Sequence, residues 1–287
     1  MKKLFRSITV IFSLMTVVAS AQQSPNIFTY KLGAFEVCLL SEGQNTGNSN
    51  IFVGATSEMI QQCLPQGVYP NSCNAFLVRM PGKIVLVDAG FGRNLFDNLK
   101  SLGITPDQVD AVLITHVHGD HLGGMLIDGK AAFSKAELYI SKAEYEYCMN
   151  DDAKNAGPRK VIEAYQSRLR LFKPEEIDVQ PDLLFAGIRA VAAYGHTPGH
   201  TLYMVESGSE KLLIWGDLTH AMAIQMPYPQ VAMTYDTNTE MAIAARKKIL
   251  EYVAGNKIPV AGMHTAFPGM GKLEKESGGG YSFTPFQ

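Results

Sequence analysis

Several things are missing from this sequence, and each absence narrows what the chain does. Only four cysteines occur, Cys38, Cys63, Cys73 and Cys148, and none has CxxC spacing, which argues against a thiolate zinc site. No GxSxG elbow is present, so the nucleophile of the common serine hydrolases is lacking. There is no basic surplus: 25 Lys+Arg face 27 Asp+Glu, for a net charge of −2. A mildly acidic chain carries no electrostatic footprint for nucleic acid or for anionic membranes. Internal repeats, low-complexity domains and interdomain linkers are absent too.

Past residue 18, no apolar run approaches the ~20 residues of a spanning helix. The one run of note is N-terminal. Lys2, Lys3 and Arg6 precede a mostly apolar stretch over 8–18, and Ala19-Ser20-Ala21 follows. That is a secretory signal pattern over 1–21, with cleavage expected between Ala21 and Gln22. No cysteine directly follows the run, which argues against a lipid anchor. The expected mature chain is 22–287, with 22 basic residues left against 27 acidic ones and no membrane attachment. Its expected location is periplasmic or secreted. Export permits disulfides, and Cys63 and Cys73 are the nearest pair in sequence; four free, packed thiols fit the composition equally well.

Alternating apolar residues predict strands over 27–40, 75–78, 83–87, 110–114, 137–140, 188–193, 201–205, 211–215 and 258–262. Gly, Asn and Ser richness predicts loops over 41–50 and 65–74. Helices are expected over 56–63, with Ser57 as the cap candidate, and over 94–102, 158–172 and 237–254. Ser141 with Glu144, and Thr237 with Glu240, have capping-box spacing. The apolar segment 221–233, broken by Pro227 and Pro229, is a candidate pocket wall, and a polar tail closes the chain. Strands interleaved with helices throughout predict a layered α/β domain.

The densest chemistry is Thr115-His116-Val117-His118-Gly119-Asp120-His121-Leu122-Gly123-Gly124, directly after a predicted strand. Imidazole and carboxylate are ligands that zinc accepts, and a strand-end loop can fold several of them around one point. His196, Asp217 and His264 also follow predicted strands, in Gly- or Pro-marked loops. With His116, His118, Asp120 and His121 they make seven groups, enough for two adjacent ions. Two further histidines read as structural. His200 follows Pro198-Gly199 and would orient its loop by hydrogen bonding, whereas His220, three residues past Asp217, is close enough to face the pocket.

The THxHxDHxGG run, the GHTPGH run 195–200, Asp217 and His264 together resemble the metallo-β-lactamase fold of hydrolases. The resemblance spans nearly the whole mature chain and implies a four-layer αββα sandwich with a dinuclear site between the sheets. Carried over by motif position, His116, His118 and His196 would hold a first metal, and Asp120, His121 and His264 a second. Asp217 would bridge them, and Asp88 would orient a ligand histidine from behind. Two zinc ions are the default, with manganese, iron or cobalt as alternatives. A water shared by two cations becomes hydroxide near neutral pH, so no Ser or Cys nucleophile is needed. Asp120 and Asp217 are the residues expected to carry that chemistry.

The substrate is narrowed by comparison within the fold. Asp217 stands where Cys-containing β-lactamases place their cysteine, which argues against a dedicated β-lactamase. The tail does not resemble the helical glutathione-binding domain of glyoxalase II, and the charge does not suit an RNase. Segments 74–78, 87–90, 195–206 and 216–218, with His264-Thr265-Ala266-Phe267-Pro268-Gly269, are similar to methyl parathion hydrolase and its lactonase relatives. The expected activity is hydrolysis of lactones or carboxylic esters, acyl-homoserine lactones included, with a small-molecule substrate and a homodimer admissible. Phosphotriester or β-lactam hydrolysis is the alternative, and a non-catalytic metal-binding protein on the same scaffold is the alternative of another class.

Overall fold

In the computed structural model, residue alternation along the strands sorts the apolar side chains into layers. The structure describes residues 25–287 except 151, 180–182 and 186. The expected signal segment 1–21 lies outside the described residues. Seven strands form a first sheet in chain order: β1 (Ile27–Leu32), β2 (Phe35–Asn48), β3 (Val68–Met80), β4 (Lys83–Val87), β5 (Ala111–Leu113), β6 (Glu137–Ser141) and β7 (Leu169–Phe172). Six form a second: β8 (Ile188–Ala192), β9 (Thr201–Ser207), β10 (Glu210–Ile214), β11 (Val260–Ala261), β12 (Met270–Lys275) and β13 (Tyr281–Pro285). Along β3, Phe76 and Val78 face the second sheet, while Ala75 and Leu77 face the opposite way. Along β9, Tyr203 and Val205 meet them from the other side, and Leu202 and Met204 face outward. Period-two alternation thus gives each sheet two apolar faces, and both outer faces need a cover.

Helices supply the covers. They are α1 (Ser57–Cys63), α2 (Leu95–Ser101), α3 (Gly119–Leu122), α4 (Lys142–Cys148), α5 (Ala156–Tyr165), α6 (Met222–Gln225) and α7 (Thr239–Gly255). Leu95 and Leu99 of α2, Cys148 of α4 and Val161, Ile162 and Tyr165 of α5 pack on the first sheet. Ile249, Leu250 and Val253 of α7 pack on the second, around the fully buried Trp215. The order helix, sheet, sheet, helix is the four-layer αββα arrangement. Among the described residues, no helix is long and apolar enough to cross a membrane. All four cysteines are free thiols, so the Cys63–Cys73 pairing is not formed.

Five local expectations are corrected. Positions 41–48 and 68–74 form strands, not loops: β2 and β3 pair antiparallel from Glu36↔Arg79 to Asn48↔Val68, with a bulge between Ser41 and Gly43. The outer arm of β2 is largely exposed, and the buried residues facing it on β3, Tyr69, Ser72, Cys73 and Asn74, are mostly polar or small, so hydrophobic alternation fades there and loop-type composition remains. The 158–172 helix stops at Tyr165; Leu169 and Phe172 lie on edge strand β7, parallel to β6. α1 is capped by Thr56, whose side chain accepts from the Met59 amide. α7 is capped by Asn238, not Thr237. The polar tail carries a strand pair that the sequence pattern did not show: β12 and β13 form an antiparallel hairpin at the edge of the second sheet.

Strand direction positions the site. β4, β5, β6 and β7 run parallel. In the second sheet β10 and β11 are parallel, and β8 shares their direction because β9 runs antiparallel to both β8 and β10. The loops after β4, β5, β8, β10 and β11 therefore open along the ends of their sheets.

Candidate metal centre

Each of those strand ends delivers one or more of the residues singled out above. After β5, His116 and His118 alternate along extended backbone, and α3 starts at Gly119 to present Asp120 and His121. His196 follows β8, Asp217 follows β10 and His264 follows β11. The structure brings all seven together. His116, His118, His196 and Asp217 form one group of donor atoms, each atom within 4.8 Å of the others. Asp120, His121 and His264 form a second, and Asp217, His220 and His264 a third.

The first group is tight. His116 Nε2 lies 3.0 Å from His118 Nδ1, and His196 Nε2 lies 3.2 and 3.1 Å from those two atoms. Asp217 Oδ2 is 3.5 Å from His116 Nε2 and 3.2 Å from His196 Nε2. A tetrahedron around zinc, with bonds of about 2.0–2.1 Å to nitrogen, has edges of about 3.3 Å. Three ring nitrogens converging this closely cannot all satisfy one another, and a cation at their centre resolves the conflict. In the second group, His121 Nε2 lies 3.2 Å from Asp217 Oδ1, and both are buried without a hydrogen-bond partner. Asp120 Oδ2 lies 3.6 Å from His264 Nε2, which is 3.1 Å from Asp217 Oδ2. Orphaned buried atoms of opposite preference facing one point are what a divalent ion would satisfy. The donor set fits divalent metal.

The far sides of His121, His196 and His264 are each fixed by a partner. His121 Nδ1 donates to Asp88 Oδ2 at 2.7 Å, and Asp88, at φ 58°, also accepts from the Thr115 amide and hydroxyl at 2.8 and 2.7 Å. His196 Nδ1 donates to Asp236 Oδ1 at 2.9 Å and His264 Nδ1 to the Ser72 carbonyl at 2.7 Å. His200 donates from Nδ1 to the Ala193 carbonyl at 3.0 Å and accepts the Asp217 amide at Nε2, also 3.0 Å. It orients the Asp217 turn, where Gly216 sits at φ 53° and any Cβ would strike the His200 ring. His220 Nε2 reaches Asp217 Oδ2 at 2.9 Å, and its ring stacks on His264.

Charge at the centre is unbalanced without cations. Burial depresses His116 strongly, and it pulls His118 to about 4, His220 to about 4 and His200 to about 3. Burial works the same way on His196, but hydrogen bonds to Asp217 and Asp236 outweigh it and raise the ring to about 9. His121 and His264 are also raised, burial being overcome by Asp217, Asp120 and, for His121, Asp88. Asp217 is held far below the usual carboxylate range: burial opposes ionisation, yet His121, His264 and His116 overcome it. Asp120 is likewise lowered, against its burial, chiefly by His121. The centre is a nest of carboxylates that borrows protons where metal charge belongs.

Sequence reasoning missed four contributors. Glu144, expected to close a capping box, instead turns its carboxylate inward to the Val117 and Gly199 amides and the Thr197 hydroxyl. Asp236 was not singled out, nor was the buried Arg246, which donates to the carbonyls of Leu218, Pro229 and Val231. Tyr235 stands at the rim, its ring 4.9 Å from His220 and 5.9 Å from His196. Serine, threonine and acid spacing gave no signal for these, because their partners lie far away in sequence.

Two cavities flank the centre. One, about 250 Å³, is mostly apolar and lies against His264 between Tyr69, Met222, Phe267, Phe283 and Pro285. The other, about 380 Å³, borders His118 with Tyr147, Lys154 and Tyr235. A slightly larger hollow beside Lys211, Lys257 and Lys272 is lined by none of the seven histidines. The expected pocket wall 221–233 contributes Met222 and Ala223 to the apolar cavity, while Ala221, Ile224, Val231 and Met233 pack inward with Leu64 and Tyr69.

Residues 68–256 match the family model described as the metallo-beta-lactamase superfamily. Among solved structures, a hydrolase described as AbOPH in the beta lactamase superfamily superposes with TM-score 0.81 at 28% identity, over 93% of this chain and 99% of that one. AidC, a dizinc quorum-quenching lactonase in complex with a product, superposes with TM-score 0.80 at 25% identity, over 91% of this chain and 98% of that one. Among curated proteins, acyl-coenzyme A thioesterase MBLAC2 of Gallus gallus is 28% identical over 177 residues, 56% of this chain and 64% of its own length. N-acyl homoserine lactonase of Bacillus cereus is 24% identical over 164 residues, 55% of this chain and 57% of its own length. The chain thus spans under two thirds of the length of these curated relatives.

Proposed function

The chain belongs to the metallo-β-lactamase superfamily; we propose that it is a metal-dependent hydrolase that uses two divalent ions, zinc by default, to hydrolyse lactones and carboxylic esters bearing an apolar substituent. The observation that carries the dinuclear reading is Asp217, whose carboxylate lies within 3.5 Å of nitrogens from both donor groups. His116, His118 and His196 would hold one ion, and Asp120, His121 and His264 the other, with Asp217 shared. Ions so held supply Lewis acidity and bring the pKa of water into the neutral range.

The chain's own groups do the rest. Asp120 and Asp217 stay ionised at neutral pH, so they serve as ligands and acceptors rather than acids. His200 stays neutral and fixes the Asp217 turn. Tyr235 offers a phenol at the rim, beside the rings of His196 and His220. The apolar cavity against His264 suits an acyl chain or aryl group, since burying apolar surface there contributes about 25 cal/mol per Å². Lactonase and acyl-coenzyme A thioesterase relatives support an acyl carbonyl as the electrophile. The signal pattern over 1–21 supports a periplasmic or secreted enzyme acting on a small-molecule substrate.

A rate panel on metal-replete protein tests this: a long-chain lactone, an aryl ester, an acyl thioester, a phosphotriester and a carbapenem. The expected outcome is the highest kcat/KM on the lactone or ester, abolished by chelator and restored by Zn²⁺. A phosphotriester or carbapenem turned over fastest would overturn the substrate assignment. Activity that survives complete metal removal would overturn the mechanism.

A further inference from the structure

We propose that Glu144 is the positioning residue that sets the geometry of the first ion's three imidazoles, an inference that rests on the metal-centre reading above. The imidazoles come from different sheets. His116 and His118 sit on the loop after β5 of the first sheet, and His196 sits on the loop after β8 of the second. Neither loop by itself fixes its distance to the other.

Glu144 does so from α4. Its carboxylate is fully buried and takes three donors: Val117 N at 2.9 Å on Oε1, with Thr197 Oγ1 at 2.7 Å and Gly199 N at 2.9 Å on Oε2. The Val117 amide lies between the two first-loop imidazoles, and Thr197 directly follows His196. One side chain therefore pins the backbone beside all three rings. Ser141, the N-cap of α4, accepts the Glu144 amide at 3.2 Å and donates to the Gly199 carbonyl at 2.8 Å, so the helix end grips the second loop from both edges. Position 199 has to be glycine for this, because a Cβ there would lie 2.1 Å from the Glu144 nitrogen.

A buried carboxylate with no salt-bridge partner among the described residues is costly, and a packing position would be filled by an apolar side chain. Its hydrogen bonds reach none of Asp120, His121 and His264. The role therefore predicts an asymmetry between the two ions that general loop support would not produce.

The test titrates metal-stripped parent and Glu144→Gln with Zn²⁺, and in parallel with Co²⁺ to follow ligand-field absorption. The parent takes up two ions; if it does not, the metal-centre reading itself fails, independently of Glu144. Glu144→Gln keeps the size but turns one acceptor into a donor. It is expected to bind one ion about 10–100-fold more weakly, the range for outer partners of metal ligands, with an altered Co²⁺ spectrum for that ion and near-parental affinity for the other. Asp120→Ala, which strips the other site, identifies which ion is weakened. Thr197→Val removes one of the three donors and is expected to weaken the same ion by less; it decides the matter alone if Glu144→Gln does not fold. Parental affinity for both ions, or equal weakening of both in folded protein, overturns the proposal.

Discussion

At the scale of single residues, Asp217 concentrates the chemistry. Its two oxygens lie 2.9–3.5 Å from nitrogens of His116, His121, His196, His220 and His264. Asp217→Asn keeps the shape and removes the charge that those rings face. Hydrolysis is expected to fall by more than the roughly 100-fold upper range of outer-partner substitutions, with one ion lost on dialysis; steady-state kinetics and metal analysis on the same sample check it. His196 gives a pH signature. In metal-free protein its pKa is raised from 6.5 to about 9, so the stabilisation is complete below about 6.5 and lost as pH rises through 9. Chelated protein should lose on the order of 3 kcal/mol across that window, and metal affinity should rise over the same range as the competing proton leaves. Urea melts and zinc titrations at stepped pH read both. At this scale the seven donors were legible because each is a metal-ligand type placed just past a strand and marked by Gly or Pro. Glu144 and Asp236 were not, since their partners are 27 to 55 and 40 residues away and two of them are plain backbone amides.

At the scale of elements, the strands that feed the centre were legible and the flanking pieces were not. Strands β4, β5, β8 and β10 are buried and bounded by turns, so their apolar runs stand out. The outer arm of β2 is largely exposed, and Gly43, Asn45, Gly47 and Asn48 leave no alternation to detect; on the paired arm of β3 the buried Ser72 and Asn74 are polar and do not read as core. Leu169 and Phe172 continued a helical spacing that the chain breaks after Tyr165 to build an edge strand. The start of α7 shows how one element serves both stability and the site. Asn238 caps the helix with its side chain, accepting the Met241 amide at 3.0 Å, while its own backbone amide donates to the Gly195 carbonyl at 2.8 Å. Asn238→Ala removes only the first. It is expected to cost about 1 kcal/mol and to leave kcat within about twofold, because the backbone grip on the His196 loop survives. A melt and a rate measurement on the variant check the pair; a large loss of kcat at unchanged stability would contradict it.

At the scale of the molecule, the centre is also a fastener between the sheets. The first sheet supplies His116, His118, Asp120 and His121, and the second supplies His196, Asp217 and His264. Ion binding therefore ties together two layers otherwise joined by apolar packing, such as Phe76 and Val78 against Tyr203 and Val205. That the chain is layered was legible from interleaved strands and helices. That the site lies between the sheets came only from the family resemblance, and which sheet supplies each ligand was not legible, because sheet membership is long-range pairing that no local pattern encodes. The division has a measurable consequence. An ion that binds only the assembled pair of sheets stabilises the fold by RT ln(1 + [L]/Kd), about 2.7 kcal/mol per ion at 100 times Kd. For a chain of this size each kcal/mol moves Tm by roughly 2–4 °C, so a saturated ion should raise it by roughly 5–10 °C. Calorimetry over a series of buffered free Zn²⁺ concentrations should show Tm climbing with the logarithm of zinc, and Asp217→Asn should flatten the slope. A Tm indifferent to zinc across a range in which the protein demonstrably takes up metal would mean that the two sheets are already locked without it, and that the ions act on substrate alone.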